Sequence, residues 1–163
     1  MSPADPESHP DPHPDPHQEA LYRAESQAAP DGGRRFARFA ELEAWVCDVV
    51  LSPWWEQAFP DAPIEVTVLR RSSGATFSAA HVTADGAEAA VWIRDGSWNA
   101  LTVVHELAHV AAAGRVGSDG PHGRQFATAL LQCWRELLGV QAYGALRSAF
   151  DTNGIPYRRD LLD

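Results

Sequence analysis

Basic clusters, long apolar runs and paired cysteines are all missing from this sequence, and each gap removes a class of function. Thirteen Lys/Arg stand against 22 Asp/Glu, the formal charge is −9, and no basic run exceeds a pair (Arg34-Arg35, Arg70-Arg71, Arg158-Arg159). Clustered cations are what release the counterions of a phosphate backbone, so nucleic-acid binding is not expected. No stretch approaches the ~18 consecutive apolar residues of a membrane span. The first residues carry neither the basic start nor the apolar stretch of a signal peptide, and the expected location is the cytoplasm, with no membrane partner. The two cysteines, Cys47 and Cys133, each lie in an apolar helical pattern with no second cysteine at metal-ligand spacing. Both read as buried free thiols, which a cytoplasm would keep reduced.

What remains is the material of one domain. With 163 residues, 45% hydrophobic and 21% charged, the chain is long enough for one core and short for two. Residues 1–17 stand apart: His9-Pro10-Asp11-Pro12-His13-Pro14-Asp15-Pro16-His17 places proline at alternate positions, which forbids a helix and predicts an extended, disordered tail. Its three histidines would have to lose chain entropy to gather on a metal, so no functional metal site is expected there. The folded domain is expected over 18–163.

Within that domain a short helix is expected over 18–27, broken by Ala29-Pro30-Asp31-Gly32-Gly33. A long amphipathic helix over 34–51 follows, with Phe36, Phe39, Leu42, Val46, Val49 and Val50 on one face and Pro53 at its end. Runs rich in Val, Ile and Thr at 64–69, 75–82 and 88–94, joined by short turn-like links, predict a three-stranded antiparallel meander. Ser97 is the expected N-cap of a helix over 98–114. A glycine-rich loop over 114–123 leads to a helix carrying Phe126, Leu130, Cys133, Trp134 and Leu137, closed by Gly139, and a last helix spans 141–152. The fold class is α+β.

The chemistry concentrates in His105-Glu106-Leu107-Ala108-His109. Histidines four apart on a helix project from one face, one turn apart, so both imidazoles can meet on one zinc ion. Glu106 can then act as general base on a water in the open metal position. This is the HExxH arrangement of zincins. Two histidines and a glutamate in one apolar turn would be costly to bury without a metal or partners.

A catalytic zinc takes three protein ligands, so a third must lie downstream. A metzincin would have glycine at position 112 and histidine at 115, where this chain has Ala112 and Arg115. His122, after the glycine-rich loop, is preferred over Glu136, which sits off the apolar stripe of the next helix. The fourteen residues between them separate the two by ~21 Å along one helix, so one helix cannot deliver both. Asp119 is a candidate to orient a ligand histidine. Arg124, Tyr157 and His81 are candidates to stabilise an oxyanion, and spacing does not choose among them.

The HELAH motif followed by His122-Gly123-Arg124-Gln125-Phe126 resembles the SprT-like zinc metallopeptidases, whose third ligand is a histidine before glycine. More narrowly, the chain is similar to a family of actinobacterial metallohydrolases. That family shares a leading segment like Ala20-Leu21-Tyr22-Arg23-Ala24-Glu25, the helix-then-meander layout and an HGxxF-type helix start. The resemblance covers residues 18–157 and implies a small zincin-like domain that uses Zn2+ to hydrolyse a peptide or protein substrate. SprT-like relatives that act on DNA-bound proteins carry zinc ribbons or basic segments, which are not seen here. Two other readings are a non-catalytic zinc-stabilised interaction domain and an ImmA/IrrE-like repressor-cleaving metallopeptidase. The latter calls for a carboxylate third ligand.

Overall fold

The computed structural model describes residues 15–115 and 119–163. The expected tail over 1–17 and loop over 114–123 therefore fall partly outside the described residues. Helix α1 (Gln18–Ala28) buries Leu21, Ala24 and Glu25, and the chain leaves it through Gly32 and Gly33, both at positive φ. It packs on the last helix, α6 (Val140–Asn153).

Helix α2 (Phe39–Val50) starts later than expected. The stretch before it pairs with a neighbouring chain segment instead: Arg35 bridges Asn99, Phe36 N donates to Trp98 O (3.0 Å), and Ala100 N donates to Arg34 O (2.7 Å). These long-range backbone bonds satisfy groups that a helix would otherwise have used. Leu42, Val46, Val49 and Val50 face the core as expected. Cys47 falls off that stripe and is exposed, against the expectation of a buried thiol, whereas Cys133 is buried. Pro53 does more than stop α2: it occupies the first turn of α3 (Pro53–Ala58), capped by the Ser52 hydroxyl accepting from Trp55 N, where its missing N–H costs nothing. Trp55 from this helix and Phe59, its C-cap, are both fully buried.

The sheet is mixed, and the antiparallel meander is overturned. Strands β1 (Glu65–Arg71), β2 (Ala79–Val82) and β3 (Glu88–Arg94) lie in the order β1-β3-β2. β1 runs parallel to β3 with Val68 opposite Val91, and β2 runs antiparallel to it with Ala80 opposite Val91. The continuous run Ala89–Ile93 is buried, as suits a central strand, while β1 is exposed or half-buried up to its last residue, the buried Arg71, and suits an edge. The β2–β3 link is a tight turn through Asp85-Gly86, which keeps those strands adjacent. Between β1 and β2 the chain turns at Ser72–Ala75, and residues 72–78 are long enough to cross to the far edge of β3. The expected strand over 75–82 is correspondingly shortened.

Helix α4 (Ala100–Ala112) is the hub. Its N-cap is Asn99, whose side chain accepts from Thr102 N (2.9 Å), rather than Ser97. Nearly all its residues are buried, the signature of a core helix. It meets β2, β3 and helix α5 (Arg124–Cys133). A π-helical turn, Trp134–Leu138, carries α5 to Gly139, at φ 95°. No helix among the described residues is long and apolar enough to cross a membrane.

Candidate metal centre

His105 and His109 sit one turn apart on α4, and His122 immediately precedes Gly123, the N-cap of α5. One ligand atom from each of the three lies within 4.8 Å of the others. His105 and His122 are buried and His109 is half-buried. The Nε2 atoms of His105 and His122 face each other at 3.3 Å. Two nitrogens bound tetrahedrally at about 2.0–2.1 Å from one zinc would lie about 3.3–3.4 Å apart, so this pair already has the right spacing.

The orientation of both rings is fixed from behind by carboxylates. Glu25, on the buried face of α1, holds His105 Nδ1 through Oε2 at 2.9 Å, and both side chains are less than a tenth exposed. Asp15 holds His122 Nδ1 in the same way, again with both partners buried. Each carboxylate selects the tautomer that leaves Nε2 available to a shared ion. Asp119, the expected orienting residue, does a different job. Its carboxylate accepts from Arg124 N (2.6 Å) and caps α5, and that backbone bond holds its pKa below the usual value.

The cap also explains Gly123. A Cβ there would stand 2.4 Å from Asp119 Cγ, so any side chain would expel the capping carboxyl and move His122 with it. Phe126, one turn into α5, forms the floor of the site: its ring lies 4.2 Å from His109, 4.9 Å from His122 and 5.0 Å from His105. Tyr22 covers another side, with its ring 5.2 Å from His105 and 5.8 Å from His122.

Burial sets the proton affinities. For His105 burial disfavours the charge, but Glu25 and then Glu106 outweigh it and raise the pKa to about 8. His109 is driven well below its usual value by burial and by the His105 and His122 charges. Burial and the His105 charge also lower His122, against the pull of Asp15. The His105–His122 Nε2 contact lies in the place suited to a cation. Burial pushes Glu106 up to about 7, with His105 and Arg71 opposing. Burial also raises Tyr22, helped by the Glu106, Glu25 and Asp15 charges, so the phenol keeps its proton.

Glu106 and His105 open onto a cavity of about 510 Å3, also bordered by Tyr22, Phe77 and Arg94. A smaller one, about 190 Å3, lies by His109 and is bordered by His81 on edge strand β2. Of the three expected oxyanion donors, His81 therefore borders the centre. Tyr157 is engaged with Asp151 (2.9 Å) and Arg147 (3.4 Å), and the exposed Arg124 contributes its backbone to the α5 cap. Glu136 is exposed in the π-helical turn and borders a different cavity, with Trp54 and Leu162.

Sequence reasoning missed Asp15, Tyr22 and Glu25. One signal was present: Leu21, Ala24, Glu25 and Ala28 follow helical core spacing, and a glutamate in such a stripe calls for a buried partner. No family model, curated protein or solved structure matches this chain.

Proposed function

We propose that this chain is a zinc-dependent metallohydrolase that cleaves peptide bonds, with a SprT-like, zincin-type site in which His105, His109 and His122 hold the metal and Glu106 is the general base. The observation that carries this reading is the convergence of three histidines, two with Nε2 atoms at tetrahedral spacing, beside a buried glutamate that opens onto a cavity. A neutral imidazole set suits zinc, and the carboxylates behind His105 and His122 raise their basicity as ligands. When bound, zinc would acidify water and polarise a substrate carbonyl.

The chain's own groups would do the rest. Glu106, with its proton affinity near neutrality, takes a proton from the attacking water and delivers it to the departing amine nitrogen. The Tyr22 phenol, whose burial keeps it protonated, and His81, beside His109 on the smaller cavity, would be the donors to the developing oxyanion. A peptide main chain would pair with the edge of β2, whose residues Ala80, His81 and Val82 border the smaller cavity. A purely structural zinc site fills all four positions with protein, and among the described residues no fourth ligand joins the cluster. The site of Glu136 likewise leaves the carboxylate-ligand alternative without support.

Glu106→Gln is the test. The variant should keep its zinc while hydrolysis of fluorescently labelled, denatured casein falls about 10²- to 10⁴-fold. Undiminished hydrolysis by a metal-loaded Glu106→Gln protein would remove Glu106 from the reaction.

A further inference from the structure

The larger cavity has a chemical polarity that a general peptide groove does not require. Glu25, His105 and Glu106 border it together with Tyr22, Phe77 and Arg94, so one guanidinium shares the cavity with the carboxylate proposed as general base. Arg94 is the last residue of β3 and is half-buried. Its Nε donates to Ser73 O (3.1 Å) and its backbone N–H to Ser78 Oγ (3.0 Å). No carboxylate among the described residues pairs with it, although the chain has 22 acidic side chains to supply one. Two exposed arginines elsewhere do have carboxylate partners: Arg70 forks onto Asp95 through Nε (3.2 Å) and Nη2 (3.1 Å), and Arg38 pairs with Glu41.

A second guanidinium braces the wall of this cavity. Arg71 is buried, donates from Nη1 to Phe77 O (2.8 Å), and stacks 4.9 Å from the Phe77 ring. It thereby holds the 76–78 segment as the cavity wall, and its charge acts on Glu106 as well. Phe77 itself is 48% exposed, an apolar surface offered to the cavity rather than to the core. A guanidinium lacking a carboxylate partner among the described residues would draw in an anionic group, even in a cavity that Glu25 and Glu106 also border.

Resting on the hydrolase reading above, we propose that Arg94 receives a carboxylate of the substrate, and that the enzyme selects peptides bearing one close enough to the scissile bond to share the cavity that Glu106 and Arg94 both border. A guanidinium fork matches a carboxylate in shape as well as charge. That carboxylate could be an Asp or Glu side chain or the C-terminus of the substrate.

The test uses full-length, zinc-loaded protein and libraries of N-acetylated octapeptides in four forms: with Asp/Glu or with Asn/Gln at the varied positions, each as C-terminal acid or amide. Binding to immobilised Glu106→Gln protein and cleavage by the unmodified protein are both read by mass spectrometry. Carboxylate-bearing peptides should be retained about 10- to 100-fold better than their amide counterparts. That preference should vanish in Arg94→Gln and partly return in Arg94→Lys. Loss only on C-terminal amidation would assign the terminus, and loss only on Asp/Glu replacement the side chain. Because the comparison of libraries needs no change at Arg94, a poorly folded variant leaves the result readable. Equal retention of acid and amide peptides, a preference that survives Arg94→Gln, or no retention at all would each overturn the assignment. Selective retention without cleavage would leave it standing and count against the hydrolase reading, whereas cleavage without carboxylate preference would do the reverse.

Discussion

Replacing Glu25 by glutamine should weaken zinc binding without removing any ligand. In the folded protein Glu25 Oε2 lies 2.9 Å from His105 Nδ1, with both side chains less than a tenth exposed, so the pair interacts with little solvent screening. The carboxylate fixes the ring so that Nε2 faces His122 and enriches the ring's electron density. Carboxylates in this relation to a metal-binding histidine are typically worth about 10- to 100-fold in affinity, or roughly 1.4–2.7 kcal/mol. Glu25→Gln preserves shape and can still accept one hydrogen bond, so it should sit near the lower figure. Glu25→Ala, which leaves Nδ1–H buried without a partner, should approach the upper. Competition against a chromogenic chelator at fixed pH measures the change, with circular dichroism checking that α1 remains folded. Affinities within twofold of the parent in both variants would refute the claim that Glu25 orients His105.

Three further outcomes follow from the same geometry. A chain starting at Gln18 should still bind one zinc but about tenfold more weakly, because it lacks Asp15 behind His122; unchanged affinity in a chelator titration would show that contact to be idle. Three ordinary imidazoles would compete with protons only below about 6.5, but His105, raised to about 8, is mostly protonated at pH 7 in the metal-free protein. Zinc binding at pH 7 should therefore release about one proton from it, and affinity should keep rising until pH passes about 8. Calorimetry in buffers of different ionisation enthalpy reads that release, and none at pH 7 would contradict it. Gly123→Ala should displace the Asp119 cap, cost about 1 kcal/mol in thermal or denaturant unfolding and also weaken zinc binding; a variant matching the parent in both would mean that the cap does not position His122.

The parts of the site legible in the sequence are those governed by local spacing. His105 and His109 are related by one helical turn, and His122 is delivered by a loop short enough to bring α5 back against α4. Phe126 was readable as apolar, although its role beneath all three imidazoles needed the packing of those helices. Glu25 and Asp15 were not readable as partners, because they lie 80 and 107 residues from the histidines they hold, and spacing along the chain carries no information about such contacts. The sheet shows the same division. The existence of each strand follows from its residues, but the order β1-β3-β2 depends on which edge of β3 each strand reaches. The deep burial of β3 and the length of the 72–78 segment decide that order, against the simpler expectation that chain neighbours pair. At Arg34–Phe36 the apolar pattern suggested helix, but backbone bonds to Trp98 and Ala100 won.

The central claim is that one zinc ion is held jointly by His105, His109 and His122. Anomalous diffraction at the zinc edge from crystals of the zinc-loaded protein tests it most directly. The account predicts a single strong peak per chain within about 2.0–2.1 Å of a nitrogen of each of the three imidazoles, with the fourth position open towards Glu106. A peak on the histidines of the N-terminal repeat, on Glu136, or on only two of the three imidazoles would contradict it.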